Sequence, residues 1–284
     1  MITIDKDLLS PRLLGRANDS HKGDYGHLLI VAGCERMPGA AVLAMGAALK
    51  SGCGLVTLHS TARALQACAN NFPSAMLSED PGRQFSAMPI ADISRYSAIA
   101  VGPGLGKEPV TVRALLDLLC SVCELAIPTV LDADALNILS EMPDWQDLIP
   151  RGSVLTPHLG ELRRLFPQGT SDGEAAVKEF CGKTESVLVM KGYRSRVFSP
   201  SSECFINTTG NPGMAKGGSG DVLAGLVGGL MARGYSALDA SLLGVWIHGY
   251  AGDTLTANYT AEAYSSRDLI DWLWTGFAIL YKDG

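Results

Sequence analysis

The chain has 284 residues, of which 47% are hydrophobic and 18% charged, and its formal net charge is −6. This charge, together with the lack of any basic cluster, argues against a nucleic-acid partner. No apolar run reaches the ~18 residues of a membrane span, and the N-terminal segment is charged where a secretory signal needs an apolar core. We therefore expect a cytoplasmic protein without a membrane partner.

Six short apolar strands are predicted in the first two thirds of the chain. They are His27–Ala32, Leu55–His59, Ala98–Val101, Thr129–Leu131, Val154–Thr156 and Val187–Met190. The helices predicted between them are Ala40–Lys50, Val110–Leu119, Leu159–Phe166 and Glu174–Cys181. This alternation is typical of a mainly parallel sheet that helices cover on both faces.

The last third of the sequence has a different pattern. A predicted pair of strands, Arg196–Phe198 and Cys204–Ile206, is followed by the helices Asp221–Ala232, Ala237–Ala257 and Ser266–Tyr281. Because we find no internal repeat, low-complexity tract or linker, we expect a single domain, residues 1–284, with a three-layer α/β/α architecture. In such folds ligands bind outside the carboxyl ends of the strands, so polar residues that follow strands should share one cleft.

The seven cysteines form an odd, scattered set, which is typical of reduced thiols in a cytosolic protein. Cys120 and Cys123 make a lone CxxC inside Val112–Leu125, a stretch that is predicted to be helical. Because no second pair of ligands follows in the sequence, zinc binding is not expected there. We predict two buried helical thiols instead.

The most informative segment is Asn211–Asp221 (NPGMAKGGSGD), which leads directly into an apolar helix. Its glycines allow close approach of the backbone to a ligand, and the helix start adds free N–H groups and a positive dipole end. These features predict an anion site, most often one for phosphate. Asp221 would repel phosphate, so it suits a base or orienting group for a hydroxyl that reacts with one. A plain loop with a helix cap would not explain the glycines.

Two other strand ends carry candidate ligand contacts. Gly102–Gly106 (GPGLG) could bring the backbone close to a ligand or could be a tight turn without a function, since it lacks the spacing of a dinucleotide fingerprint. Asp132 and Asp134, with Asn137 one turn later, could hold Mg²⁺ through water or a ligand hydroxyl. Asp134 could equally be the N-cap of a helix at Ala135–Leu139.

His158 and Lys191 also follow predicted strands. His158 could donate a hydrogen bond to a phosphate or a carboxamide, and a structural role is its alternative. Lys191 could meet a nucleotide phosphate, or it could be a surface lysine whose stem lies on the protein. His248 lies within an apolar helical run, and we interpret it as a satisfied core residue.

Together these segments resemble the ribokinase-like superfamily, whose members carry a GxGD sequence at a helix start, and within it the nucleotide-dependent NAD(P)H-hydrate dehydratases. The matching segments, in family order, are residues 21–33 (HKGDYGHLLIVAG), 38–44 (PGAAVLA), 102–106 (GPGLG), 131–137 (LDADALN), 156–161 (TPHLGE), 191–192 (KG) and 207–225 (NTTGNPGMAKGGSGDVLAG). The resemblance implies a ribokinase-like fold and the repair of hydrated nicotinamide cofactors. A stand-alone form is expected, because the chain has no room for the epimerase domain that often precedes this one.

The family's reaction is implied by the same resemblance. The six-position hydroxyl of hydrated NADH or NADPH would be phosphorylated and then lost as phosphate. The donor is ADP in bacterial members, which gives AMP, and ATP in eukaryotic ones. Mg²⁺ is expected because the reaction is a phosphoryl transfer. The family also implies a homo-oligomer, specifically a homotetramer.

The resemblance assigns roles to particular residues. The hydrated cofactor would contact Ala40, Gly104, Gly106, His158 and Asp221. The nucleotide would contact Lys191, Gly192, Tyr193, Arg194, Ser195 and Gly220. The N–H groups of Gly218, Ser219, Gly220 and Asp221 would form the anion hole, with Asp221 as the catalytic residue. Ser195 and Ser219 stand where the family more often has threonine, and each keeps a hydroxyl. A contact between Lys216 and the phosphates is left open.

Two other functions are compatible with the sequence. One is a small-molecule kinase of the same fold, of the hydroxyethylthiazole or hydroxymethylpyrimidine kinase type, which would release a stable phosphate ester. The other is a non-catalytic nucleotide sensor, against which the presence of Asp221 argues. GPGLG and TPHLGE together favour the dehydratase. No segment separates ADP from ATP, and none indicates a clamp for a ribose 2′-phosphate that would separate NADPH from NADH.

Overall fold

The computed structural model describes residues 1–89, 92–167 and 173–282. Its strands are β1 (Ile2–Ile4), β2 (His27–Val31), β3 (Leu55–Ser60), β4 (Met76–Glu79), β5 (Ala98–Val101), β6 (Thr129–Leu131), β7 (Val154–Leu155), β8 (Val187–Met190), β9 (Arg196–Phe198) and β10 (Cys204–Asn207). They form one sheet in the order β1-β10-β9-β8-β7-β6-β5-β2-β3-β4. Neighbouring strands run parallel except beside β9, which is antiparallel to both β8 and β10.

The helices lie on both faces of this sheet. They are α1 (Lys6–Leu9), α2 (Pro38–Lys50), α3 (Ala62–Asn71), α4 (Pro109–Glu124), α5 (Ala133–Leu139), α6 (Leu159–Leu165), α7 (Gly173–Thr184), α8 (Ser219–Ala232), α9 (Ala237–Asn258) and α10 (Ser266–Tyr281). Within the described residues, no helix combines the length and the apolar character that crossing a membrane requires.

Two hydrophobic cores result from side chains that alternate across the sheet. Along β2, Leu28 and Ile30 belong to the core that contains residues of α2, α8, α9 and α10. Leu29 and Val31 belong to the core on the opposite face, which contains residues of α4, α5 and α7. The mainly parallel sheet between two helical layers confirms the predicted three-layer α/β/α fold.

Each predicted strand and helix is present, with ends shifted by a few residues at most, and α4 ends at Glu124, close to the end of the predicted helix Val112–Leu125. The two strands that were not predicted lie at the edges of the sheet. β1 has three residues, and β4 leaves Met76 and Leu77 exposed. β1 is too short, and β4 too exposed, to show the apolar run or the alternation over several residues that marks a strand in a sequence.

The prediction of buried thiols at Cys120 and Cys123 is wrong. Both residues lie on α4, but both side chains are exposed. The helix buries Leu118, Leu119 and Val122 among others, and these positions occupy the face that packs on the sheet. At 3.6 residues per turn, positions 120 and 123 therefore fall toward the opposite face.

Helices α2 and α8 pack so closely that backbone meets backbone. A Cβ atom at Gly225 on α8 would overlap the carbonyl group of Ala44 on α2. Replacing Gly225 with alanine is therefore expected to lower the free energy of unfolding by about 1–3 kcal/mol, the usual cost of overpacking. Denaturant-induced unfolding of the purified variant would measure this change.

Gly182→Ala on α7 is the matched control, because this glycine is exposed and a Cβ atom there would meet only Pro200 O, at 3.6 Å. Alanine favours a helix over glycine by about 1 kcal/mol, so the control should be neutral or slightly stabilising. Wild-type stability for Gly225→Ala would contradict the close backbone contact.

Candidate functional site

The polar residues that follow β6, β7 and β8 meet the N-terminus of α8. Asp132 follows β6, His158 follows β7 and Lys191 follows β8, and residues 158 and 191 form a parallel bridge. A Cβ atom at Gly220 would lie 3.2 Å from Lys191 Nζ and 3.8 Å from Asp132 Oδ2. The strand ends and the glycine-rich segment therefore share one cleft, as the parallel topology requires.

Lys191 and Asp132 form a buried ion pair at the bottom of this cleft. Lys191 Nζ lies 2.5 Å from Asp132 Oδ1, and Glu161 Oε2 is 3.9 Å from the same nitrogen. Burial by itself would lower the pKa of Lys191, but the carboxylates of Asp132 and Glu161 outweigh burial, so the pKa is raised and the ammonium stays charged. Asp132 Oδ2 is buried and has no hydrogen-bond partner among the described residues.

Asp221 lies in the first turn of α8, next to this pair. Burial, reinforced by the negative charge of Asp132, raises the pKa of Asp221 to about 7, and Lys191 opposes the rise. No hydrogen bond joins the Asp221 side chain to the described residues. A carboxyl group that is half ionised near neutral pH and has no protein partner is suited to exchange a proton with a ligand.

The first turn of α8 provides free hydrogen-bond donors. Gly218 holds the N-cap position with φ +91°, a conformation that favours glycine. The first intrahelical bond runs from Val222 N to Gly218 O, and within the described residues the N–H groups of Gly220 and Asp221 find no acceptor. These N–H groups and the helix dipole favour an anion at this position.

A cavity of about 650 Å³ opens on one side of the α8 N-terminus. The predicted nucleotide residues Lys191–Ser195 and Gly220 all line it, and so does His158. Within the turn that follows β8, Arg194 has φ +57° and the Ser195 hydroxyl donates to Gly192 O at 3.2 Å. The Ser195 hydroxyl thus helps to close the turn that forms this wall.

The other residues of the cavity wall were not individually predicted to contact a ligand, although residues 211–216 belong to the segment predicted as an anion site. They are Asn207, Thr209, Gly210, Asn211, Pro212, Met214, Ala215, Lys216, Leu223, Val245, His248 and Gly249. Several belong to the loop between β10 and α8, within the matching segment 207–225, so the motif could have indicated them. Val245, His248 and Gly249 come from α9, whose continuous apolar pattern gives no sign that one face meets a cavity.

Ala40, Gly104 and Gly106 lie together, but none of them lines this cavity. A Cβ atom at Gly104, which has φ +64°, would come within 2.7 Å of Ala40 Cβ. Gly106 N donates to Asp134 Oδ2 at 2.9 Å, and open space surrounds the position of a Cβ atom at Gly106. Ala40 and Gly106 are partly exposed and Gly104 is buried, so these residues lie apart from the cavity wall and provide a separate, partly exposed surface patch.

The N-cap position of α5 is not held by the aspartate that the sequence suggested. Asp132, not Asp134, holds the N-cap position of α5, and its side chain makes no capping bond. Asp134 lies inside the first turn and binds the GPGLG loop through Gly106 N. The cap interpretation of Asp134 is therefore wrong, because α5 begins directly after β6.

His158 begins α6 and keeps one ring nitrogen available. Its Nδ1 accepts hydrogen bonds from Gly160 N at 2.9 Å and Glu161 N at 3.1 Å, while Glu161 Oε2 accepts from His158 N. Because Nδ1 accepts, the proton of the neutral ring lies on Nε2. The side chain is 54% exposed, so Nε2–H can donate to a ligand as well as toward Glu161 Oε1 at 3.4 Å.

His248 is buried but is more than a core residue. Its Nε2 lies 3.3 Å from Ser219 Oγ at the start of α8, and the ring lines the cavity. Burial lowers the pKa of His248 to about 4, so the ring is neutral at physiological pH.

Lys216 Nζ donates to Ala261 O at 2.7 Å and Tyr264 O at 2.6 Å, so the lysine joins the glycine-rich segment to the loop before α10.

Comparison with known proteins gives a consistent result. Residues 28–274 match the family model described as NAD(P)H-hydrate dehydratase. An ADP-dependent (S)-NAD(P)H-hydrate dehydratase of Neisseria meningitidis is 38% identical over 247 residues, which cover 84% of this chain and 80% of that protein. The bifunctional NAD(P)H-hydrate repair enzyme Nnr of Moorella thermoacetica is 37% identical, and its alignment covers 91% of this chain but only 50% of that longer protein.

Solved structures agree with these relatives. An ADP/ATP-dependent NAD(P)H-hydrate dehydratase of Bacillus subtilis, co-crystallised with ATP and Mg²⁺, has a TM-score of 0.84 at 28% identity, and the match covers 98% of both chains. A hydroxyethylthiazole kinase of Pyrococcus horikoshii has a TM-score of 0.59 at 15% identity over 89% of both chains, and shares the fold alone. The protein therefore belongs to the NAD(P)H-hydrate dehydratase family.

Proposed function

We propose that the protein repairs nicotinamide cofactors by dehydrating the S form of hydrated NADH and NADPH, with ADP as the phosphate donor. The family and the names of the relatives support this lyase activity. The observation that carries the proposal is Asp221, a carboxyl group with a pKa near 7 beside the free N–H groups of the α8 N-terminus. The cavity would take the nucleotide, and the surface formed by Ala40, Gly104 and Gly106 would take the hydrated cofactor.

In the first step, Asp221 accepts the proton of the ring hydroxyl while the hydroxyl oxygen attacks the β-phosphate of ADP. A new O–P bond forms, the bond from the β-phosphorus to the bridging oxygen breaks, and AMP leaves. The N–H groups of Gly220 and Asp221, with the ammonium of Lys191, stabilise the charge on the transferred phosphoryl group. No rearrangement of these donors is needed, since the fold already holds them in place.

In the second step, the ring nitrogen lone pair expels the new phosphate, which takes the electrons of the C–O bond. Phosphate is a much better leaving group than hydroxide. Loss of a proton from the neighbouring ring carbon then restores the dihydronicotinamide. AMP, phosphate and NADH or NADPH are the products.

Mg²⁺ would accompany the nucleotide. The described residues contain no cluster of three or more ligating side chains, so they offer no closed metal site of their own. Magnesium in nucleotide sites needs only one or two carboxylates, because phosphates and water complete its shell. The partnerless, buried Asp132 Oδ2 fits that need, and Asp132 would hold the ion, which would neutralise phosphate charge when bound.

The direct test supplies purified protein with hydrated NADH and either ADP or ATP, and follows the return of dihydronicotinamide absorbance. We expect recovery with ADP, together with one AMP and one phosphate per NADH. No recovery with either nucleotide would refute the proposed function. A stable phosphate ester in place of free phosphate would identify a kinase instead.

The pH dependence of the reaction follows from Asp221. Because the base must be ionised, kcat/KM for hydrated NADH at saturating ADP should fall as the pH drops through about 7, the raised pKa of this carboxyl. A pH–rate profile would show this limb, and the residual activity of an Asp221→Asn variant should lack it. An acid limb near pH 4 in the wild type would contradict the assigned base.

We also propose that the protein acts in the cytoplasm as a homotetramer, with no nucleic acid or membrane as partner. The assembly is inferred from the family resemblance alone. Light scattering coupled to gel filtration should give about four times the 30.0 kDa mass of one chain. A monomeric mass would refute the tetramer without affecting the proposed activity.

A further inference from the structure

Arg164, at the end of α6, is held in place by a neutral partner. Its Nη2 donates to Asn137 Oδ1 at 2.7 Å. Asn137 Nδ2 lies 3.5 Å from Asp134 Oδ1, and Asp134 Oδ2 accepts from Gly106 N at 2.9 Å. A chain of polar contacts thus connects the guanidinium to the GPGLG loop, which forms part of the surface assigned to the hydrated cofactor.

Among the described residues, this guanidinium differs from five arginines that pair with carboxylates and resembles Arg16 and Arg233, which are also held by neutral groups. Arg12, Arg63, Arg151, Arg196 and Arg267 each lie within 4.0 Å of a carboxylate. Arg164 forms no such ion pair within the described residues, although the protein carries a net charge of −6. Its charge is exposed and has no carboxylate partner among the residues that the structure describes, while the amide of Asn137 fixes its geometry.

The position of Arg164 is next to His158. A Cβ atom at Gly160, in the first turn of α6, would lie 2.8 Å from His158 Cε1 and 3.9 Å from Arg164 Nη1. The two side chains therefore flank the same glycine. Arg164 makes no contact with Asp221 or Lys191, so its position favours a role in binding rather than in the chemical step.

We propose that Arg164 binds the diphosphate that joins the two nucleotides of the hydrated cofactor, an assignment that rests on the proposed function. The diphosphate carries two negative charges, and Ala40, Gly104 and Gly106 have no positive charge with which to balance them. The planar guanidinium can bind two phosphate oxygens at once, and the Asn137 contact leaves most of its N–H donors free. Arg164 is then a specificity residue for dinucleotides.

The test is steady-state kinetics of Arg164→Met. We expect KM for hydrated NADH to rise about tenfold to a hundredfold, the usual effect of losing hydrogen bonds between charged groups. The values of kcat and of KM for ADP should stay close to those of the wild type, because the variant loses binding that ground state and transition state share. Arg164→Lys keeps the positive charge but cannot bind two phosphate oxygens with one planar group. Its KM for hydrated NADH should therefore lie between the values for the wild type and for Arg164→Met.

Two controls separate this role from a general effect. Arg163→Met removes the neighbouring exposed arginine, which has no hydrogen bond or ion pair with the described residues, and should leave KM unchanged. Hydrated dihydronicotinamide riboside lacks phosphate, so wild type and Arg164→Met should have the same kcat/KM with it. An equal loss with the riboside, or a wild-type KM for hydrated NADH in Arg164→Met, would overturn the assignment of Arg164.

Failure of the proposed function has a different signature. Turnover of hydrated NADH by the wild type with ADP or ATP establishes that function, whatever Arg164 does. Without wild-type turnover with either nucleotide, both the proposed function and the role of Arg164 are overturned.

Discussion

Replacing Asp221 with asparagine is expected to lower kcat by about 10²–10⁴-fold, the usual contribution of a positioned general base. Asparagine keeps the size of the side chain but cannot accept the hydroxyl proton. The N–H groups of Gly220 and Asp221 belong to the backbone and remain, so affinity for ADP should survive. Turnover of hydrated NADH and calorimetric titration with ADP would measure the two quantities separately.

The same variant should change the pH dependence of stability. The pKa of Asp221 is about 7 in the folded protein and near 3.8 when unperturbed, so the ionised carboxylate destabilises the fold. This cost is absent below about pH 4, grows as the pH rises, and is complete above pH 7. Ligand-free Asp221→Asn should therefore be more stable than the wild type at pH 8, by up to about 4 kcal/mol, and equal to it at pH 4.

A carboxylate far from the cleft provides the control. Asp271→Asn neutralises an exposed residue that pairs with Arg267 at 3.6 Å on α10, and should alter neither turnover nor the pH dependence. A fully active Asp221→Asn would refute its role as the base.

Replacing Lys191 with methionine is expected to remove activity and to lower the free energy of unfolding by about 3–5 kcal/mol, because Asp132 would remain buried without its partner. Lys191 Nζ also lies between Asp132 and the α8 N-terminus, so the phosphoryl group would lose a cation. Denaturant unfolding and the repair assay would record the two effects.

Two further variants identify the cause of that instability. Lys107→Met breaks the exposed pair with Glu141, whose atoms are 3.0 Å apart, and should cost no more than about 1 kcal/mol. Adding Asp132→Asn to Lys191→Met removes the stranded charge and should restore part of the stability without restoring activity. If the double variant is no more stable than Lys191→Met, the loss arises from packing rather than from charge.

The sequence was sufficient to predict the parallel sheet and the general position of the cleft. Short apolar strands that are each followed by polar residues favour a cleft at one edge of the sheet, because parallel strands bring their carboxyl ends together there. The amino-acid pattern alone therefore predicts that His158, Lys191 and Gly220 lie near one another. The glycine-rich segment indicates an anion site because its glycines let the backbone N–H groups approach a ligand closely at the start of a helix.

Details that depend on tertiary contacts could not be predicted from the sequence. Whether Asp132 or Asp134 holds the N-cap position depends on where α5 begins, and α5 begins two residues earlier than the sequence suggested. His248 lies in a helix that is apolar on nearly all sides, so its contact with Ser219 has no local signal. The Ile-Thr-Ile residues of β1 favour a strand, but three residues are too short a signal to predict one without the pairing partner β10.

The contact between α2 and α8 has a consequence for how the two ligands meet. Ala40 lies in the first turn of α2 and Gly220 in the first turn of α8, and the backbones of these helices touch at Ala44 and Gly225. Because backbone packs on backbone at this contact, we expect the two helix starts to move together. The distance between hydroxyl and phosphoryl group is then set by the scaffold, and we expect the entry and exit of ligands to depend on the turn at residues 192–195 and on the loop before α8.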